Sequence, residues 1–150
     1  MKPGVFEVTI DAPVERVWTW VADLSRHAEF SPRPYTVEWT QGEPNAVGSR
    51  FRSLGWIPGD SHRVNEGEVV ENRPMERFAF RSSDKDGTYA DTFTLEPAGR
   101  GTRVTFHLVF EKLNGMAGLM APVFFPLVGK KDVRARMQLL KAKVEGSPSV

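Results

Sequence analysis

From Tyr35 to Glu111 the sequence is a succession of short runs in which apolar and polar residues alternate, separated by turn residues and never by a long helical pattern. A period of two sends successive side chains to opposite faces, so each run is a half-buried strand. Tyr35, Val37 and Trp39 alternate with Thr36, Glu38 and Thr40. Ser49 to Ile57 is extended. His62 to Glu71, Arg77 to Ser82, Thr88 to Glu96 and Thr102 to Glu111 follow. Gln41 to Gly48 is a loop, and Pro58-Gly59-Asp60 turns the chain. Asp84-Lys85-Asp86-Gly87 and Pro97-Ala98-Gly99-Arg100-Gly101 are hairpin turns. Such short connections make neighbouring strands antiparallel. His62 to Glu71 carries Asn65, Glu66 and Glu68, the pattern of a bulged or solvent-facing strand.

This block is flanked by one strand and by helices. Phe6 to Ile10 alternates as a first strand. Asp11-Ala12-Pro13 opens a helix whose apolar face is Val14, Val17, Trp18, Val21 and Ala22. Arg26 to Phe30 is a second short helical piece. Asn114 to about Val144 is helical, with a bend at Pro122 or Pro126. Its second half carries Val133, Met137, Leu140 and Val144 on one stripe, which must lie across the sheet to be buried. The fold class predicted is α+β. A seven-stranded antiparallel sheet wraps around a long C-terminal helix, with two short helices between strands 1 and 2.

At 150 residues the chain is one domain, read as residues 1–146 with a frayed tail at 147–150. It has no cysteine, so disulfides, thiolate nucleophiles and cysteine-ligated metals are excluded. Twenty basic against 19 acidic side chains leave a net charge of +1, which does not favour a nucleic-acid partner. Met1 to Glu7 is no secretory signal, so cytoplasmic residence is expected. Leu113 to Gly129 is the most apolar window. At 17 residues with two prolines it reads as a helix covering a pocket rather than a membrane span.

Four stretches carry a family resemblance. They are Val8-Thr9-Ile10-Asp11-Ala12-Pro13-Val14-Glu15-Arg16-Val17-Trp18, Asp23 to Pro32, Val47-Gly48-Ser49-Arg50-Phe51, and Val69 to Phe80 with Leu95-Glu96-Pro97 and Gly101 to Thr105. The chain resembles the START-like, helix-grip (SRPBCC) superfamily, and within it the bacterial polyketide cyclase/dehydrase and lipid-transport family. Phe30 stands where that family commonly has tryptophan. The motifs mark turns and core rather than chemistry.

The resemblance implies a pocket between the concave face of the sheet and the long helix. Strand parity then selects a lining of Phe51, Ser53, Phe78, Phe80, Asp91, Phe93, Phe106 and Leu108, with Tyr89, Leu95, Val104 and Phe110 on the same faces. Met116, Met120, Val123, Phe124 and Leu127 of the helix form its floor. These apolar groups exceed what a thin core needs and suit an adaptable cavity. Asp91 is the polar residue of interest, because a carboxylate among apolar groups must be paired, hydrated or protonated. The expected partners are Arg63 or the Tyr89 hydroxyl.

His27, His62 and His107 are too scattered to hold a metal, and no phosphate-binding or nucleophile-elbow motif occurs. No cofactor is expected. The basic run Lys130, Lys131, Arg134, Arg136, Lys141 and Lys143 reads as the solvated face of the last helix, with attraction to a carboxylate ligand or transient contact with an anionic membrane as the sharper alternative. Two functions follow. One is binding or carriage of a small hydrophobic molecule, a lipid, polyketide or isoprenoid. The other is a polyketide aromatase/cyclase in which Asp91, with Tyr89, Arg63 or Ser53, is the general acid or base. A regulatory module of the START-like kind has no specific support. The sequence sets neither the ligand nor the oligomeric state.

Overall fold

A computed structural model describes residues 4–55 and 60–147. Trp56 to Gly59, expected to end a strand and begin a turn, and most of the expected frayed tail lie outside these residues. The strands are β1 (Gly4–Ile10), β2 (Tyr35–Gln41), β3 (Arg50–Gly55), β4 (Val64–Arg73), β5 (Arg77–Asp84), β6 (Gly87–Ala98) and β7 (Gly101–Leu113). They form one antiparallel sheet in the order β1-β7-β6-β5-β4-β3-β2. Between β1 and β2 lie α1 (Val14–Val21), α2 (Leu24–His27) and a single 3-10 turn (Ala28–Phe30). The C-terminal helix comprises α3 (Gly115–Phe124), a π-helical turn (Phe125–Gly129) and α4 (Lys130–Gly146).

The polar strand does carry a bulge. Val69 pairs with Phe80 and Glu71 with Ala79, so the intervening Val70 is unpaired and exposed. The α-helical pattern of the long helix is also interrupted at a proline. Pro126 has no N–H to donate, and Lys130 N–H reaches Phe125 O five residues back, which widens one turn to π geometry.

The two halves of this helix differ. In α4, Val133, Met137, Leu140 and Val144 are buried against the sheet, as the stripe predicts. Its C-terminal end is tied down by α1 and β1. Arg16 Nη2 donates to Val144 O at 2.6 Å and Ser147 O at 3.0 Å, while Lys141 Nζ donates to Thr9 O at 2.9 Å. In α3, by contrast, no residue is buried. Phe125 anchors the segment that follows, its ring edge-on to Phe110 with centroids 5.0 Å apart.

Candidate functional site

The concave face changes character along the strands. Near the middle of β5, β6 and β7, Phe78, Phe93 and Phe106 are 0–1% exposed and stack in register. Two residues further toward the β5–β6 turn, the same face carries Asp91 and Leu108. Beyond these it carries Ser82, Tyr89 and Phe110, with Asn65 on β4 beside them. Since side chains two apart share a face, the polar groups gather at one end of the sheet, beside Tyr89 and Phe110, and the fully buried phenylalanines lie toward the other.

At the polar end a cavity of about 310 Å3 separates the sheet from the C-terminal helix. Its sheet wall is Asn65, Ser82, Tyr89, Asp91, Leu108 and Phe110. Its helix wall includes Ala117, Met120, Ala121, Phe124, Phe125 and Val133. Met120 and Phe124 are also 48% and 43% exposed, so the cavity reaches the surface beside α3.

Seven of the expected residues line this cavity: Arg63, Tyr89, Asp91, Leu108, Phe110, Met120 and Phe124. Phe78, Phe80, Phe93 and Phe106 lie outside it because other groups fill the space above their rings. His27 packs edge-on to Phe78, Phe80 and Phe93, and the Arg136 guanidinium sits 5.3 Å from the Phe93 ring and 5.2 Å from the Phe106 ring. Phe51 is buried between Trp39 and Phe80, and half-buried Ser53 pairs with Val37 and Asn65. Met116, Val123 and Leu127, expected as floor, are exposed on the outer side of the helix.

The expected partners of Asp91 are engaged elsewhere. Tyr89 hydroxyl donates to Asp84 Oδ1 at 3.0 Å. Arg63 donates to Asp60 at 2.8 Å, Asp84 at 3.0 Å and Asp86 at 2.6 Å. Burial raises the Tyr89 hydroxyl pKa, helped by Asp84. Burial alone would lower that of Arg63, but its carboxylate partners outweigh this and raise it. These groups form a knot that closes the β5–β6 turn, because Asp84 Oδ1 also accepts from Asp86 N and Gly87 N.

The cation acting on Asp91 is Arg136 instead. The solvated face expected for the last helix does not include Arg136, which is buried on the same stripe as Val133, Met137 and Leu140. It lies three residues after Val133 and four before Leu140, so helical spacing could have placed it there. Its Nη2 donates to His27 Nδ1, and it hydrogen-bonds Tyr35. Burial pushes the Asp91 carboxyl up to about 6, and Arg136 keeps it from rising further. Burial also raises the Tyr35 hydroxyl to about 12.

One acceptor in the wall is unsatisfied by the protein: Asn65 Oδ1 is buried and receives no hydrogen bond among the described residues. A buried acceptor left in this state is unfavourable by about 1–3 kcal/mol. No cluster of metal-ligating side chains occurs among the described residues.

Residues 5–145 match the family described as polyketide cyclase / dehydrase and lipid transport. The chain belongs to this family. No curated protein matches it. Among solved structures, TTHA0849 from Thermus thermophilus superposes with a TM-score of 0.72 at 23% identity, over 99% of this chain and 100% of that one. CV1439 from Chromobacterium violaceum gives 0.68 at 20%, over 97% and 98%. DynU16, from the dynemicin biosynthetic locus, gives 0.65 at 23%, over 97% of this chain but 48% of its own. At these identities the likeness shows that the neighbours share the fold of this polyketide cyclase/dehydrase and lipid-transport family member.

Proposed function

We propose that the chain binds a small, mostly apolar molecule bearing a hydrogen-bond donor, and holds it in the cavity between the polar end of the sheet and α3. The carrying observation is the unsatisfied Asn65 Oδ1 in the same wall as the Asp91 carboxylate, opposite the apolar side chains of the helix. Two acceptors facing an apolar wall suit a phenol, an enol or a hydroxylated chain. The volume is at the lower end of those that hold such ligands.

Calorimetric titration with 2-naphthol and with naphthalene tests this reading. The expected result is tighter binding of 2-naphthol, with the preference reduced in Asp91→Asn and in Asn65→Leu. Ala121→Trp, which fills the cavity, should abolish binding of both. Equal binding of the two compounds, or binding unaffected by Ala121→Trp, would contradict it.

A second reading has one observation in its favour. A carboxyl titrating near 6 inside a cavity is poised to accept a proton close to neutral pH, as a cyclase or dehydrase needs. Under that reading Asp91→Asn retains binding and abolishes turnover of a poly-β-ketone substrate. Under the carrier reading no turnover occurs with either form.

A further inference from the structure

The outer side of α3 is as apolar as the side facing the cavity. Met116 is 70% exposed, Leu119 71%, Val123 57% and Leu127 71%, on one helical segment held to the sheet through Phe125. Single exposed apolar residues are ordinary on a protein surface, but four on one segment form a patch.

The charges at the α4 end of this patch are mainly of one sign. Between Glu111 and Asp132 the chain has no acidic residue. Glu111 is held by Arg81 at 2.6 Å, Asp132 by Arg33 at 2.6 Å and Asp86 by Arg63 at 2.6 Å. Lys112 and Lys85 lie at the start of α3, where Asn114 Nδ2 donates to Lys85 O at 3.3 Å. Lys130, Lys131 and Arg134 follow its end. These five cations enter no ion pair among the described residues. The rim is therefore cationic at its α4 end, through Lys130, Lys131 and Arg134, whereas at the β5–β6 turn Arg63 is shared by Asp60, Asp84 and Asp86 and Lys85 and Lys112 only balance the excess.

We propose that this face docks onto the surface of an anionic lipid bilayer, with Leu119, Val123 and Leu127 entering the headgroup boundary and the basic rim meeting lipid phosphates. An apolar face flanked by lysines and arginine is the chemistry of an interfacial helix. No helix among the described residues is long and apolar enough to cross a membrane. The inference stands apart from the cavity reading, since it concerns the opposite side of α3.

The test is co-sedimentation of the full chain with vesicles of phosphatidylcholine containing about one-third phosphatidylglycerol, against phosphatidylcholine alone. Binding to the anionic vesicles is expected, weakening with salt. Lys130→Glu and Lys131→Glu should each weaken it at least about fivefold. Leu119→Ser combined with Leu127→Ser should weaken it at least about tenfold. All four sites are at the surface, and circular dichroism confirms that the variants fold. Failure of the wild-type chain to bind anionic vesicles would overturn the proposal, as would binding unchanged by the leucine variants. A concentration-dependent dimer abolished by the same leucine pair would overturn it too, by assigning the face to a second copy. Ala121→Trp alters only the cavity, so loss of 2-naphthol binding and loss of vesicle binding are separable outcomes.

Discussion

Arg136 Nη2 donates to His27 Nδ1 across 3.0 Å, with both side chains buried beneath the sheet. A guanidinium carries no acceptor, so Nδ1 of His27 must be bare and the ring proton must sit on Nε2. That proton is donated to Val21 O at 2.7 Å. The histidine is thereby fixed as one neutral tautomer. Burial, together with the Arg136 charge, pulls its pKa down to about 3. The pair joins α2 to α4 and separates the aromatic core from the cavity.

Arg136→Met should therefore unfold more easily by about 3 kcal/mol, since it leaves both a histidine acceptor and Asp91 without their cation. Urea denaturation measures the loss. In the same variant the His27 titration should move upward, because one of the two causes that depress it is gone; NMR of the ring protons reads this directly. Unchanged stability would show that Arg136 contributes packing alone.

The pH dependence of stability carries two opposing signatures. His27 has a lowered folded pKa, so its contribution is present above about 6.5 and lost as pH falls toward about 3. Asp91 has a raised folded pKa. Its contribution is present below about 3.8 and lost as pH rises through about 6. Between pH 4 and 6 the two cancel in part. In Asp91→Asn only the rising His27 limb remains, so its melting temperature should climb more steeply over that interval than that of the wild-type chain. Parallel curves would show that Asp91 is not buried as described.

The strands and the helix stripe were legible because they rest on periods of two and 3.6, which local sequence carries. Asp91, Tyr89, Leu108 and Phe110 reached the cavity wall by strand parity. What parity cannot show is which part of a concave face is already filled. Phe78, Phe93 and Phe106 have the right parity, but His27 and Arg136, contributed by distant elements, occupy the space above them. Ser82 lies on the face marked by Phe78 and Phe80, and Asn65 on a strand read as bulged or solvent-facing, yet small polar residues give no apolar signal. The outward turn of Met116, Val123 and Leu127 was equally hidden, because α3 is apolar all round and has no stripe to orient it.

Gly67 tests the packing that bounds the cavity on the β3 side. A Cβ built there overlaps the ring of Phe51, which is itself wedged between Trp39 and Phe80. Gly67→Ala should destabilise the chain by about 1–3 kcal/mol through overpacking. Thermal or denaturant unfolding checks it, and the double variant Gly67→Ala with Phe51→Leu should recover part of the loss.

Phe125 tests how α3 is held. Its ring packs on Phe110 and leaves Gly129 no room for a side chain. Phe125→Ala should lower stability by about 3 kcal/mol. Hydrogen exchange should quicken selectively across residues 115–124, while α4, tied by Arg16 and Lys141, keeps its protection. Uniform quickening would mean that α3 and α4 move as one body.

The central claim is that the space between Asp91 and α3 is a ligand site. Titrating 2-naphthol into isotopically labelled chain and following backbone amide shifts tests it most directly. The largest shifts are expected at Asn65, Ser82, Asp91, Leu108, Ala117 and Ala121, saturating together. Shifts confined to Met116, Leu119 and Leu127 on the outer side of the helix, or no saturable shifts at all, would contradict it.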